Sequence, residues 1–95
     1  MVVFSIECAP QKLRGVFSRF CIEVRAGLFV GRVDARLREL LWSRILVLGH
    51  EDTNAVMIWR VPTEQGYCVR QTGPDARRCV EMDGIWLIET AGKPN

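Results

Sequence analysis

The sequence predicts an α+β domain in which two helices cover one face of a β-sheet. Short runs rich in β-branched residues, typical of strands, recur along the chain. Between them lie two segments whose apolar residues recur every three or four positions, which is typical of amphipathic helices. The chain has 95 residues, a length that corresponds to one domain with a modest core.

The first strand and the first helix are predicted near the start of the chain. The run at residues 2–6 predicts a strand that ends before Pro10. Helical spacing then connects six apolar residues, which are Leu13, Val16, Phe17, Phe20, Cys21 and Val24. Gly15 interrupts this helix, which suggests the close approach of another backbone or of a phosphate. Gly27 supplies the positive φ that a tight turn from this helix into a strand at residues 28–33 needs.

A second helix and further strands are predicted in the rest of the chain. Asp34 is a good N-cap, because its carboxylate can accept hydrogen bonds from the free amides of the first turn. The helix ends at Gly49, and its predicted apolar stripe consists of Leu37, Leu40, Leu41, Ile45 and Leu48. The runs at residues 55–59, 67–72 and 85–89 predict the remaining strands.

We interpret this order of elements as a ferredoxin-like βαββαβ sandwich with an additional C-terminal strand. The strands at residues 2–6 and 55–59 are apolar on both sides, so the sheet face away from the helices also needs cover. A second copy of the chain is the simplest cover, and we therefore expect a homodimer. The domain is expected to span residues 1–90, with a C-terminal tail at residues 91–95.

Charge and cysteine usage narrow the class of protein. The net charge is +2, and the cations are eleven arginines and two lysines. Arginine's planar fork suits phosphate, so this composition is compatible with a nucleic-acid partner. Cys8, Cys21, Cys68 and Cys79 form no closely spaced pair, and the one histidine, His50, has no cysteine beside it, which argues against structural zinc. We expect the four thiols to be free, and the sequence has no long apolar run and no visible signal peptide. These observations predict a soluble cytoplasmic protein without a membrane partner.

Arg77 and Arg78 are the clearest binding candidates that the residues alone provide. They follow a Gly-Pro loop and can each reach a phosphate, which gives affinity without sequence readout. A solvated basic loop is the alternative, since most surface charges bind nothing specific. We expect Trp42, Trp59 and Trp86 in the core or at an interface rather than stacked on bases.

Motifs that extend over nearly the whole chain carry a family resemblance. They are Leu13-Arg14-Gly15, Glu23-Val24-Arg25-Ala26-Gly27, Val30-Gly31, Arg38-Glu39, Trp42, Val56-Met57, Trp59, Thr63-Glu64, Gly66, Arg77-Arg78 and Asp83-Gly84. With these residues in this order, the chain resembles CRISPR-associated protein 2 of type I-E systems, the small subunit of the spacer-acquisition complex. The block at residues 23–27 is the most specific of these motifs.

The resemblance implies a homodimer that bridges two dimers of the integrase, CRISPR-associated protein 1, and holds a short DNA duplex for insertion into the CRISPR array. In this picture the small subunit is a prokaryotic scaffold, and the integrase carries out strand transfer. Trp86, Ile88 and the residues after Thr90 match the segment that docks on the integrase. The positions that match contacts to the DNA backbone are Lys12, Arg14, Arg36, Arg77 and Arg78.

The same resemblance leaves an enzymatic alternative open, because many members of the wider family are described as metal-dependent nucleases, endoribonucleases among them. The alternative function is therefore that of a metal-dependent endonuclease acting on RNA or DNA. Those members use an aspartate at the end of the first strand, where this chain has Ser5, Ile6 and Glu7. Glu7 and Glu64 are therefore the catalytic candidates, with magnesium as the cofactor if they act and no cofactor required otherwise. The structural alternative for Glu7 is a strand-end carboxylate that accepts hydrogen bonds from nearby amides. A small interaction domain of another pathway is the third possibility.

Overall fold

The computed structural model describes residues 1–76 and the backbone of residues 79–82 and 85–88. Its elements in chain order are β1 (Val2–Glu7), α1 (Gln11–Ser18), β2 (Ile22–Arg25), β3 (Leu28–Gly31), α2 (Ala35–Leu48), β4 (Asn54–Arg60), β5 (Tyr67–Thr72), β6 (Cys79–Met82) and β7 (Ile85–Ile88). Of these strands, β2 and β6 were not predicted from the sequence.

The first five strands form one antiparallel sheet in the order β2-β3-β1-β4-β5, and both helices pack on one face of it. Strand β1 lies between β3 and β4, which is the ferredoxin-like arrangement, and β5 extends the sheet beyond β4. Strands β6 and β7 pair with each other in a separate two-stranded sheet. The predicted α+β ferredoxin-like class is therefore confirmed.

The segment that the sequence predicts as the end of the first helix is a strand instead. Helix α1 ends at Ser18, and β2 pairs with β3, with Ile22 opposite Val30. Phe20 and Val24, both in the predicted stripe, are 45% and 58% exposed, so the helical spacing there does not mark a buried face. Pairing with β3 gives the backbone of residues 22–25 its hydrogen bonds, and this outweighs the weak helix preference of two β-branched residues.

Gly27 lies in the turn of the β2–β3 hairpin rather than at the end of a helix. Its φ is +79°, which confirms the predicted positive value. Its carbonyl oxygen accepts a hydrogen bond from the Ile6 N–H at 2.7 Å, and a Cβ at this position would collide with the Ile6 carbonyl oxygen. The turn therefore requires glycine both for its backbone angle and for its contact with β1.

Three aromatic rings form the centre of the core between the sheet and the helices. Phe17 of α1 packs edge-on against Phe4 of β1, with ring centroids 4.8 Å apart, and lies 5.3 Å from the ring of Phe29 of β3. The other large side chains that are fully buried around them are Leu13, Leu41 and Met57. Hydrophobic burial is thus concentrated on the face of the sheet that carries the helices.

Helix α2 begins and ends where its sequence pattern predicts, with one correction to its buried face. The Asp34 carboxylate accepts a hydrogen bond from the Leu37 N–H at 2.8 Å, and Gly49 follows the last helical residue. Leu40, predicted in the buried stripe, is 46% exposed, whereas Trp42 is only 7% exposed. The helix is rotated so that its Trp42 side faces β4 and β5. Neither described helix is long and apolar enough to cross a membrane.

The face of the sheet without helices carries a row of aliphatic side chains. Alternate residues of β1 are buried toward the helices, so Val3 lies on the other face. The strand registers place Val30 and Ile58 beside Val3, and Ile22 and Val69 beyond them. We call these five residues the open-face row. Ile22 and Ile58 remain 71% and 38% exposed within one chain.

Candidate nucleic-acid interface

Each helix begins with an exposed cation. Lys12 lies in the first turn of α1 and Arg36 in the first turn of α2, and neither forms an ion pair with another described residue. The N-cap of α1 is Pro10, which makes no side-chain hydrogen bond to the first turn. The N-cap of α2 is Asp34, which brings a negative charge. Since free amides and a positive helix end attract phosphate, the start of α1 is the better of the two phosphate sites.

The structure does not bring Lys12 and Arg36 together. Strands β1 and β2 both run antiparallel to β3, so they are parallel to each other. Helix α1 connects the end of β1 to the start of β2 and therefore runs antiparallel to both strands. Helix α2 connects β3 to β4, which is antiparallel to β1, and therefore runs the opposite way to α1. The two cations consequently lie at opposite ends of the helix layer. A single linear DNA backbone that contacted both would have to pass along the helices.

Arg14 is held by an ion pair that the sequence did not predict. Its Nη2 atom lies 2.7 Å from Oε2 of Glu23 in β2. The same carboxylate oxygen accepts a hydrogen bond from the Gly27 N–H at 2.9 Å. Two of the family motifs, residues 13–15 and 23–27, thus meet at one carboxylate, which ties α1 to the hairpin. The Arg14 side chain is 43% exposed, and a guanidinium has five N–H donors, so a phosphate contact is compatible with this ion pair.

The predicted candidates at the C-terminal end lie outside the side chains that the structure describes. Arg77 and Arg78 fall between the described segments. Trp86 and Ile88 belong to β7, where the backbone pairs with β6 and the side chains are not described. Their roles therefore stay predictions.

Two of the tryptophans carry arginines on their faces. The Arg38 guanidinium carbon lies 4.5 Å from the ring centroid of Trp59, and that of Arg70 lies 5.2 Å from the same ring and 5.8 Å from Trp42. Glu39 joins both arginines, through Arg38 Nε at 3.1 Å and Arg70 Nη1 at 2.7 Å. This cluster ties α2 to β4 and β5 and occupies the ring faces that a base would need for stacking. Arg70 was not singled out from the sequence, although it is opposite the buried Met57 in the β4–β5 register.

The two catalytic candidates are far apart within one chain. Glu7 is exposed at the end of β1, opposite Asn54 at the start of β4. Glu64 lies in the turn after Arg60, the last residue of β4. Because β1 and β4 are antiparallel, these carboxylates lie at opposite ends of the sheet. One chain therefore does not combine Glu7 and Glu64 in one site.

Other carboxylates lie closer to Glu7. The negative charge of Asp52, and more weakly those of Glu7 and Asp75, raises the pKa of the exposed Cys8 thiol. Asp75 is fixed by Asn54, whose Oδ1 accepts a hydrogen bond from the Asp75 N–H at 2.7 Å. The pairing of β1, β4 and β5 creates this acidic corner, and for that reason a linear motif did not reveal it. Across the described residues, no group of three histidine, cysteine or acidic residues is arranged to hold a metal ion.

Comparison with known protein families agrees with the motifs and the fold. The family model described as CRISPR-associated protein (Cas_Cas2CT1978) matches residues 1–87. That match includes both helices, the whole five-stranded sheet, and the Arg14–Glu23–Gly27 contact. The chain therefore belongs to this CRISPR-associated, Cas2-like family.

Proposed function

We propose that this chain is a dimeric scaffold of CRISPR spacer acquisition that grips the backbone of duplex DNA and bridges dimers of the integrase. The observation that carries the proposal is the cation in the first turn of each helix, which pairs with no described acidic residue, on a member of a CRISPR-associated family. Cations at helix starts bind phosphate without reading bases, which suits a protein that captures DNA of any sequence. Arg14 and, by the family resemblance, Arg77 and Arg78 complete the proposed DNA-binding set.

The open-face row supports the dimeric part of the proposal. Five aliphatic side chains on adjacent strands form a continuous apolar band, and at least two of them are substantially exposed in one chain. A contiguous apolar band of this kind marks an interaction surface. A second copy that packs its own band against this one would cover both and leave the helix layers of both copies outside. The DNA-binding cations would then remain accessible.

The bridging part of the proposal rests on the resemblance alone. Trp86, Ile88 and the residues after Thr90 match the element that docks on the integrase in the subtype the sequence resembles. We include them as the proposed docking segment, in the tail at residues 91–95 and the strand before it.

DNA binding is tested by charge removal at the helix starts. We expect the double variant Lys12→Ala/Arg36→Ala to weaken binding to all duplex sequences alike and to lower the slope of log affinity against log salt by about 1 for each lost phosphate contact. The matched control is Arg25→Ala/Arg60→Ala, which removes the same charge from exposed arginines elsewhere. Equal losses in both double variants, or a loss restricted to certain sequences, would contradict backbone binding at these residues.

A metal-dependent endonuclease is the second candidate function, and the acidic corner favours it. Carboxylate oxygens are the ligands that magnesium prefers, and the charges of Glu7, Asp52 and Asp75 all reach the Cys8 thiol. Within the described part of one chain, however, these carboxylates are not arranged to hold a metal ion. Within this candidate, Glu7 would supply a ligand at the end of β1, and a second chain would have to supply what one chain lacks.

Insertion of a short duplex into a CRISPR plasmid by the cognate integrase separates the two candidates. We expect Glu7→Gln to support insertion at the wild-type level, whereas Lys12→Ala/Arg36→Ala lowers it. If Glu7→Gln still assembles with the integrase but supports no insertion, the carboxylate takes part in the chemistry and the scaffold proposal is wrong. Retained assembly, measured by co-purification, excludes misfolding as the cause of any loss.

A further inference from the structure

The outer surface of the helix layer contains a groove, and Lys12 is the only one of its lining residues that the proposed function uses. It has a volume of about 410 Å³ and lies between α1 and α2. Its apolar lining consists of Val16, Phe20, Leu40, Leu41 and Leu48. Phe20 and Leu40 are 45% and 46% exposed, although side chains of this size are usually buried. The groove therefore presents an apolar floor to solvent.

The rim of this groove is entirely basic. Lys12, Arg19 and Arg44 line it, and no acidic residue within the described part of the chain does. All three side chains are exposed, and none forms an ion pair with a described residue. Like charges around a concave apolar surface repel one another and focus a positive potential into it. A ligand with negative charge would relieve this repulsion.

The spacing along the groove matches a helical ligand. On α2, Leu40, Arg44 and Leu48 are four residues apart, so an apolar position, a cation and an apolar position follow along one face. On the other wall, Val16 lies in α1 and Phe20 in the turn that follows the end of this helix. The eight residues of α1 extend about 12 Å at 1.5 Å per residue, which corresponds to two turns of an incoming helix.

We propose that this groove is the docking site for an acidic amphipathic α-helix of a partner protein. Its aliphatic or aromatic residues would pack on Phe20 and Leu40, and its flanking carboxylates would pair with Arg19 and Arg44. Duplex DNA fits less well, because phosphates gain nothing from an apolar floor. A second copy of this groove would bring like charges together.

Residues 89–95 fit less well too. They contain one glutamate, one lysine and, apart from Pro94, no apolar residue larger than alanine. The proposed dimer would bury the opposite face of the sheet, so each copy would keep its groove accessible. The inference therefore does not depend on the proposed DNA-binding role, and only Lys12 belongs to both surfaces.

A designed peptide provides the probe. It has about 15 residues, enough to form a helix, with leucines at positions i, i+3, i+4 and i+7 and glutamates beside them. Fluorescence anisotropy with the full chain measures its affinity, and the same peptide with lysines in place of the glutamates is the control ligand. We expect binding of the acidic peptide only. Equal binding of the two peptides, or binding of neither, would overturn the proposal.

Substitutions in the groove test whether the acidic peptide binds there. We expect Arg19→Glu/Arg44→Glu to weaken binding of the acidic peptide by at least about tenfold, and Phe20→Ser to weaken it as well. The matched control Arg25→Glu/Arg60→Glu makes the same change in charge outside the groove and should leave the affinity within about twofold. An equal loss in this control would show non-specific attraction. A Leu40→Ser variant that dissociates a dimer in light scattering would assign the groove to a second copy, since Leu40 lines the groove and lies away from the open-face row. Loss of duplex binding without loss of peptide binding in the groove variants would assign it to nucleic acid. Each of these results contradicts the proposal.

Discussion

The two faces of the sheet differ in how far one chain covers them. On the helix side, Phe4, Phe17 and Phe29 are completely buried under α1 and α2. On the other side, the open-face row crosses all five strands, and its Ile58 in β4 is still 38% exposed. Apolar residues of similar type thus have two different environments here. Those on one face are buried within the chain, and those on the other face are left for the proposed second copy to cover.

The largest expected effect is a loss of stability when the core is changed on the covered face, which is the face of the sheet under α1 and α2. Phe17→Ala removes the ring that contacts both Phe4 and Phe29, and we expect it to lower the free energy of unfolding by about 3–5 kcal/mol. Urea denaturation followed by circular dichroism measures this loss. A loss below about 1 kcal/mol would mean that the covered face is not the main source of stability.

The next effect is a loss of dimerisation without unfolding, caused by a change on the open face of the sheet. We expect Ile58→Asp to convert the proposed dimer into a monomer, because a carboxylate in the open-face row would be desolvated by the second copy. Light scattering coupled to size-exclusion chromatography gives the mass. Val47→Asp, at an exposed position of α2, is the matched control and should leave the dimer intact. A wild-type chain that is monomeric at micromolar concentration would contradict the proposal that a second copy covers the open-face row.

A smaller effect is expected where α1 is tied to the hairpin. Glu23→Gln removes the charge that holds Arg14 and the Gly27 amide, and we expect a loss of about 1–2 kcal/mol in the free energy of unfolding. Glu51→Gln, at an exposed carboxylate without an ion pair among the described residues, is the control and should have almost no effect. Equal losses in the two variants would mean that this ion pair contributes nothing to the free energy of unfolding.

The arginine–tryptophan cluster gives a pH-dependent effect of still smaller size. The hydrogen bond from Arg70, supported by Arg38, holds the pKa of Glu39 below its usual value. A carboxyl group whose pKa is lower in the folded state stabilises the fold above its unfolded pKa of about 4.3, and this contribution disappears as the pH falls through the lowered pKa.

Because Glu39 is 45% exposed, solvent screening keeps this contribution below about 1 kcal/mol. We therefore expect Glu39→Gln to be less stable than the wild type at pH 7, with the difference vanishing in acid. Urea titrations of both proteins across this range measure the difference. A difference that is the same at neutral and acidic pH would show that charge is not its cause.

The smallest expected effect is a gain in stability on the outer surface of α1. A Cβ at Gly15 would meet nothing within 4 Å in the free chain. We expect Gly15→Ala to stabilise the fold by about 0.5–1 kcal/mol, because alanine favours the helix. If a phosphate approaches this residue, as its position next to Arg14 predicts, the same variant binds duplex DNA more weakly. Higher stability together with unchanged DNA affinity would remove Gly15 from the DNA surface.

The candidate site was predicted only in part from the sequence. The positions of Lys12 and Arg36 at helix starts follow from local patterns and are confirmed. The contact of Arg14 with Glu23, nine residues away, and that of Glu39 with Arg70, 31 residues away, depend on strand registers. The same registers separate Glu7 from Glu64 and place Asp52 and Asp75 near Cys8 instead. A sequence pattern indicates which residues of one helix or strand are buried. It does not indicate how that element is aligned with its neighbours in the sheet.

The sequence by itself determined the strand runs, the Asp34 cap, the positive φ of Gly27 and the family, because each depends on residues close together in the chain or on motifs in a fixed order. Only the tertiary structure decided that residues 22–25 form a strand and that Leu40 is exposed. Apolar residues at positions 20, 21 and 24 fit helical spacing, and pairing with β3 outweighs that preference. The hydrogen bonds and burial that an element gains from its neighbours exceed its weak local propensity, and so those neighbours decide its conformation.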